Sequence, residues 1–142
     1  MRIAIGADHR GYRQKELIKN HLKNISWVDV GAPNARRSDY PIFAQAVCEL
    51  INADSVDFGV LLCGSGIGMA IAANRYRGIY AGVAWKPDIA VHGRRQDNMN
   101  VLIIPSDFVS ARTVVTIVKA WLKTTFAGAR YQERLDMIDG GS

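Results

Sequence analysis

The sequence predicts a single α/β domain built on a five-stranded, mainly parallel sheet. Short, β-rich apolar runs alternate with amphipathic stretches along the whole chain, the pattern of successive βα units. No internal repeat or low-complexity segment interrupts the alternation. With 142 residues, 49% of them hydrophobic, the chain suits one compact domain spanning residues 1–142.

Taken in order, the first strand covers 2–6 and the first helix about 12–23, followed by a strand at 26–30 and a helix at about 41–51. Asp39-Tyr40-Pro41 falls at that loop-to-helix junction, because proline is tolerated at the first helical position. The third strand is 58–62, with Ser65 or Gly66 opening the next helix. A fourth strand at 80–84 precedes a helix started by Pro87-Asp88, and the fifth strand is 101–104. A helix at about 111–124 ends before Phe126-Ala127-Gly128-Ala129, and residues 130–138 form a short basic terminal helix.

Bulk properties narrow the function. Two cysteines, no secretory leader at Met1-Arg2-Ile3-Ala4-Ile5 and no apolar run long enough for a bilayer point to a soluble, cytoplasmic protein. The net charge of +5 raises the question of nucleic acid, but Arg and Lys are dispersed from Arg2 to Arg134 without a nucleic-acid motif. A phosphate-bearing small molecule fits the charge better.

The most informative segment is Val60-Leu61-Leu62-Cys63-Gly64-Ser65-Gly66-Ile67-Gly68. It sets a cysteine where a buried strand ends, then a glycine-rich turn, then an alanine-rich helix. Glycines let the backbone approach a ligand, and the first amides of a helix lack intrahelical partners and favour negative charge. That positive end is expected to bring the Cys63 thiol below its ordinary value of about 8.5, making it usable as a base near neutral pH. Ligands of parallel sheets sit beyond the carboxyl ends of the strands, where Asp8, His9 and Cys63 all fall. Blander readings stand beside these. Cys63 can be a small buried hydrophobe, Ser65 a helix cap, Asp8 a cap of the first helix and His9 a loop histidine. Arg130 and Arg134, four residues apart on one helix face, either clamp phosphate or form a solvated face. Cys48 reads as core, His21 as a mid-helix surface residue, and Tyr40 as packing at the site mouth or touching the ligand.

Gly6-Ala7-Asp8-His9-Arg10-Gly11-Tyr12, Asp39-Tyr40-Pro41, Cys63 to Gly68, Ala72-Ala73-Asn74, Asn100-Val101-Leu102 and Arg130-x-x-x-Arg134 occur in the order and spacing of type B ribose-5-phosphate isomerases. The resemblance covers the whole chain, in a family that also contains galactose-6-phosphate isomerase subunits. It implies a Rossmann-like three-layer α/β/α sandwich, no metal or cofactor, and a homodimer or dimer of dimers with active sites shared across an interface. It also implies aldose–ketose isomerisation of a pentose 5-phosphate through a cis-enediolate. In that scheme Cys63 moves the proton between C2 and C1, while the Ser65 hydroxyl and the amides of Gly64, Ser65, Gly66, Ile67 and Gly68 hold the oxyanion. Asp8 and His9 contact the sugar, and Arg130 and Arg134 hold its phosphate.

The chain departs from the family pattern where a ring-opening histidine followed by asparagine is usual and Gln96-Asp97 stand instead. Asp107 replaces a phosphate-contacting arginine, and Tyr131 a histidine. His92, one helical turn before Gln96, is a candidate substitute ring opener if it reaches the neighbouring subunit's site, and the alternative leaves ring opening to His9 or to solvent; Asp97 is a candidate substrate contact, and Arg112 a candidate substitute cation near Asp107. Other readings are a sugar-phosphate-binding or regulatory homologue with weak turnover, an isomerase of allose or galactose 6-phosphate, and a nucleotide-binding domain. The last lacks both a dinucleotide fingerprint after the first strand and a lysine-bearing phosphate loop.

Overall fold

A computed structural model describes residues 1–140. Its strands β1 (Arg2–Ala7), β2 (Ser26–Gly31), β3 (Phe58–Cys63), β4 (Ala81–Val83) and β5 (Val101–Pro105) form one sheet in the order β2-β1-β3-β5-β4. Every pairing is parallel. The helices are α1 (Tyr12–His21), α2 (Tyr40–Asn52), α3 (Ile67–Ala73), α4 (Pro87–Asp97), α5 (Ala111–Leu122) and α6 (Arg130–Gly140). The expected Rossmann-like α/β class is therefore the observed one.

Both faces of the sheet are covered, which is why its central strands read as continuous apolar runs. Side chains alternate between the two layers. Ile3, Ile5, Val60, Leu62, Leu102 and Ile104 pack with Ile18, Ala90, Ile117 and Trp121 from α1, α4 and α5. Ala4, Leu61, Cys63, Val101 and Ile103 pack on the opposite side with Phe43, Val47 and Met69 from α2 and α3. α6 joins the edge of the sandwich by packing on α4, with Leu135 buried.

Several boundaries differ from the sequence reading. α1 ends at His21, since Leu22 leaves helical geometry while its N–H still bonds the Ile18 carbonyl; His21 is thus a terminal, not a mid-helix, residue. β4 is three residues long, not five, because its ladder with β5 runs only from Ala81 to Val83, opposite Val101 to Ile103. α5 stops at Leu122, α6 runs to Gly140, and a 3-10 turn at Ser106–Phe108, not anticipated, follows β5. Two asparagines of the recognised motifs tie down the approach to β4. The Asn74 amide exchanges two hydrogen bonds with the Ala81 backbone, at 2.8 and 2.9 Å, and Asn100 bonds Tyr80 N and Gly78 O.

The strand order positions the site. The chain moves from β1 outward to β2, then returns to the other side of β1 for β3, so the connections diverge between β1 and β3 and leave a crevice at their carboxyl ends. Asp8 and His9 follow β1, Cys63 ends β3, and Asp107 follows β5 on the far side of β3.

Candidate active site

Asp8 is 5% exposed and closes the turn between β1 and α1. One carboxylate oxygen accepts from Arg10 N at 3.0 Å and Gly11 N at 3.3 Å. Gly11, not Asp8, holds the cap position of α1, so the carboxylate organises the loop before the helix. His9 is fixed by the following segment: Ser38 N–H donates to its Nδ1 at 3.2 Å. The same nitrogen lies 3.3 Å from the Ser38 carbonyl, so the Ser38 backbone holds the ring at Nδ1.

Cys63, 4% exposed, does not have the lowered pKa that the sequence suggests. Burial pushes the thiol above its ordinary value; hydrogen bonds from the Met69 and Gly66 amides favour the thiolate but do not outweigh burial, and Asp8 and Asp107 add to the rise. The physical reason lies in α3, which has only seven residues and offers a small dipole against a large desolvation cost. The amides are nevertheless aimed at the sulfur, so the anion has partners once formed. Cys48 has no such loop. Its sulfur faces the Ala73 carbonyl at 3.8 Å, and burial raises its pKa to about 12, as befits a core residue.

The glycine-rich loop has a specific shape. Gly66, neither Ser65 nor a later residue, is the cap of α3, and it adopts φ +77, a left-handed conformation that a side chain disfavours. Ser65 still takes part, its Oγ accepting from Ile67 N at 3.2 Å. That bond uses one of the five amides expected to hold an oxyanion, so the Ile67 N–H is already partnered. At Gly68 a β-carbon would lie 2.5 Å from Tyr40 Cζ. The Tyr40 ring therefore rests against the first turn of α3, at the loop.

The remaining candidates lie elsewhere in the subunit. His92 and Asp97, both exposed on α4, line a cavity of about 770 Å³ with Tyr80, Leu135, Ile138 and Asp139, and no residue from 63–68 lines it. Arg130 and Arg134 flank Tyr131 on α6. Their guanidinium carbons stand 5.1 and 5.7 Å from its ring centroid, and Arg130 donates to Tyr131 Oη at 3.2 Å. Tyr80 Oη donates to Asp139, fastening the end of α6 to the residue before β4. Arg112 does not approach Asp107 as proposed from sequence. It borders a depression with Leu17 and His21, because the first turn of α5 faces α1. Asp107 pairs with Arg10, whose Nε donates to Oδ2 at 2.7 Å and whose Nη2 contacts the same oxygen. Sequence reading overlooked this pair, although Arg10 lies within a quoted motif; its partner is 97 positions away. No group of three or more His, Cys, Asp or Glu side chains is placed to hold a metal among the described residues.

A thiol, a carboxylate and an imidazole at the ends of adjacent parallel strands, with amides aimed at the thiol, define an α/β site suited to proton transfer on a small polar molecule. A family model described as Ribose/Galactose Isomerase matches residues 3–138. Ribose-5-phosphate isomerase B of Escherichia coli is 37% identical over 139 residues, covering 96% of this chain and 93% of that protein. The crystal structure of a ribose 5-phosphate isomerase from Thermotoga maritima superposes with a TM-score of 0.95 at 42% identity, covering 98% and 97% of the two chains. Ribose-5-phosphate isomerase B from Mycoplasma genitalium, solved with bound ribulose-5-phosphate, superposes at 0.93 with 37% identity, covering 99% and 95%. The chain belongs to the ribose/galactose isomerase family.

Proposed function

We infer that the chain is an aldose–ketose isomerase that interconverts ribose 5-phosphate and ribulose 5-phosphate. The observation that carries the reading is the buried Cys63 thiol, which has amides aimed at its sulfur and lies in a family whose Mycoplasma genitalium member binds ribulose-5-phosphate. In the forward direction the Cys63 thiolate takes the proton from C2, and the electron pair moves onto the carbonyl oxygen at C1 to give an enediolate. The resulting thiol returns that proton to C1 as the thiolate re-forms, while the O2 hydroxyl passes its own proton to O1, leaving a ketone at C2 and a hydroxyl at C1. The Ser65 hydroxyl and the unpartnered loop amides oppose the developing negative charge. Asp8, His9 and Tyr40 orient the sugar.

Arg130 and Arg134 bind the phosphate, and His92 with Asp97 approaches the closed sugar, in the site of a second copy of the chain. Support for that assembly comes from the placement of α6 against α4, away from the Cys63 loop, and from Ile67, Ile71 and Trp85, large apolar side chains left more than half exposed. No described helix is long and apolar enough to cross a membrane, and two free cysteines suit the reducing cytoplasm. A binding-only module is not favoured, given that the full-length relatives are isomerases.

The deciding experiment assays purified protein for ribulose 5-phosphate formation from ribose 5-phosphate, with allose 6-phosphate and galactose 6-phosphate in parallel. Turnover of ribose 5-phosphate well above both hexose phosphates is expected. Preference for either hexose phosphate would overturn the substrate assignment, and no turnover of any would overturn the enzyme.

A further inference from the structure

Arg10 stands over the Cys63 loop. A β-carbon built on Gly64 would lie 2.8 Å from Arg10 Nε and 2.9 Å from Asp107 Oδ2, so the ion pair occupies the space that a side chain beside the thiol would take. The pair is braced on both sides. Arg10 N donates to Asp8, and Asp107 N donates to the Gly64 carbonyl at 3.0 Å. The contact arises because β1 and β5 flank β3, which lets a residue after β1 reach one after β5 across the end of β3.

Among the described residues the guanidinium is engaged along one edge only. Nε and Nη2 both face Asp107 Oδ2, while the side chain remains 56% exposed. A guanidinium carries five N–H donors in a planar fork, so a carboxylate on the Nε edge leaves the outer edge, formed by the two terminal nitrogens, free for a second anion. That edge suits the oxygens of a phosphate, which pairs with arginine through two parallel hydrogen bonds. Asp107 holds the fork in one orientation.

We propose that Arg10 is a phosphate contact of the Cys63 site, with Asp107 as the carboxylate that positions it. The proposal rests on the isomerase reading above and adds a cation, from the same subunit as the thiol, to the two on α6.

The test compares inhibition by a phosphorylated five-carbon sugar acid and by its phosphate-free counterpart in wild type, Arg10→Gln, Arg10→Lys, Asp107→Asn and the double variant. Arg10→Gln is expected to weaken the phosphorylated inhibitor by about tenfold or more and its counterpart by less than about threefold, with the loss for substrate falling on KM more than on kcat. Arg10→Lys, which keeps the charge and loses the fork, should recover part of the preference for phosphate. The effect of Asp107→Asn on that preference should largely vanish in the Arg10→Gln background, as coupled residues require. Equal losses for both inhibitors would make the pair a loop brace and overturn the proposal, and additive losses would overturn the positioning role. A wild-type protein that neither isomerises ribose 5-phosphate nor discriminates the two inhibitors would instead sink the isomerase reading itself.

Discussion

The Cys63 thiol meets two opposed demands. Burial on the α2–α3 side of the sheet gives it a dry, fixed position, and the same burial holds it in the neutral form. A base of this kind gains strength as the pH rises, because the reactive fraction is the thiolate. The kcat/KM for ribose 5-phosphate is therefore expected to climb from neutral into the alkaline range, and Cys63→Ala to lower turnover by about 10²-fold or more, the usual scale of general-base catalysis. Steady-state assays across pH check both, with Cys48→Ala, a core residue, as the comparison. A Cys63→Ala variant retaining more than about a tenth of wild-type turnover would remove the thiol from the base role. The glycines around Cys63 have separate causes: Gly66 needs a left-handed backbone, while Gly64 and Gly68 make room for Arg10 and Tyr40.

At the scale of elements, the join between α1 and β2 is electrostatic. The Lys15 ammonium, 1% exposed, reaches Asp29 at 2.7 Å and Glu16 at 3.0 Å, and Lys19 joins Asp29 at 2.6 Å. Burial alone would raise the Asp29 pKa, but the hydrogen bonds from Lys15, Lys19 and Gly31 N outweigh it and hold the carboxyl below its ordinary value. A carboxylate with a depressed folded pKa stabilises the fold above its unfolded value of about 3.9, and this contribution is lost as pH falls through the lower, folded value. Asp29→Asn is expected to cost about 3 kcal/mol near neutral pH, since it leaves a buried ammonium with Glu16 as its remaining acidic partner. It should also flatten the acid limb of the Tm profile, which calorimetry between pH 3 and about 7 would measure. A Tm equal to wild type at neutral pH would mean that Lys15 and Lys19 find other partners.

At the scale of the molecule, the thiol and the α6 arginines lie on separate parts of one subunit, so a shared site requires a second copy. Cys63→Ala and Arg134→Ala proteins, each nearly inactive, are expected to regain activity when mixed and allowed to exchange subunits. One site of each mixed dimer would carry both intact residues, and random exchange would yield about a quarter of wild-type activity. Sedimentation of the wild type should give at least a dimer. A monomer of full activity, or no recovery on mixing, would confine the site to one subunit.

The order of strands and helices and the Cys63 loop were legible in the sequence because each is a local pattern, whereas the layered sandwich came from the family resemblance. The β-rich apolar runs at 2–6 and 58–62 mark strands without reference to the rest of the chain. Asp8, His9 and Cys63 were readable as neighbours from a general property of parallel sheets. The lengths of α1 and β4 were not, since one depends on the backbone turn at Leu22 and the other on how far the segment stays paired with β5. Only the tertiary structure decided that Asp107 meets Arg10 and not Arg112, that Lys15 is buried against Asp29, and that the Cys63 pKa moves up. These outcomes depend on which strands become adjacent and how much water is excluded, and both are set by packing between segments far apart in sequence.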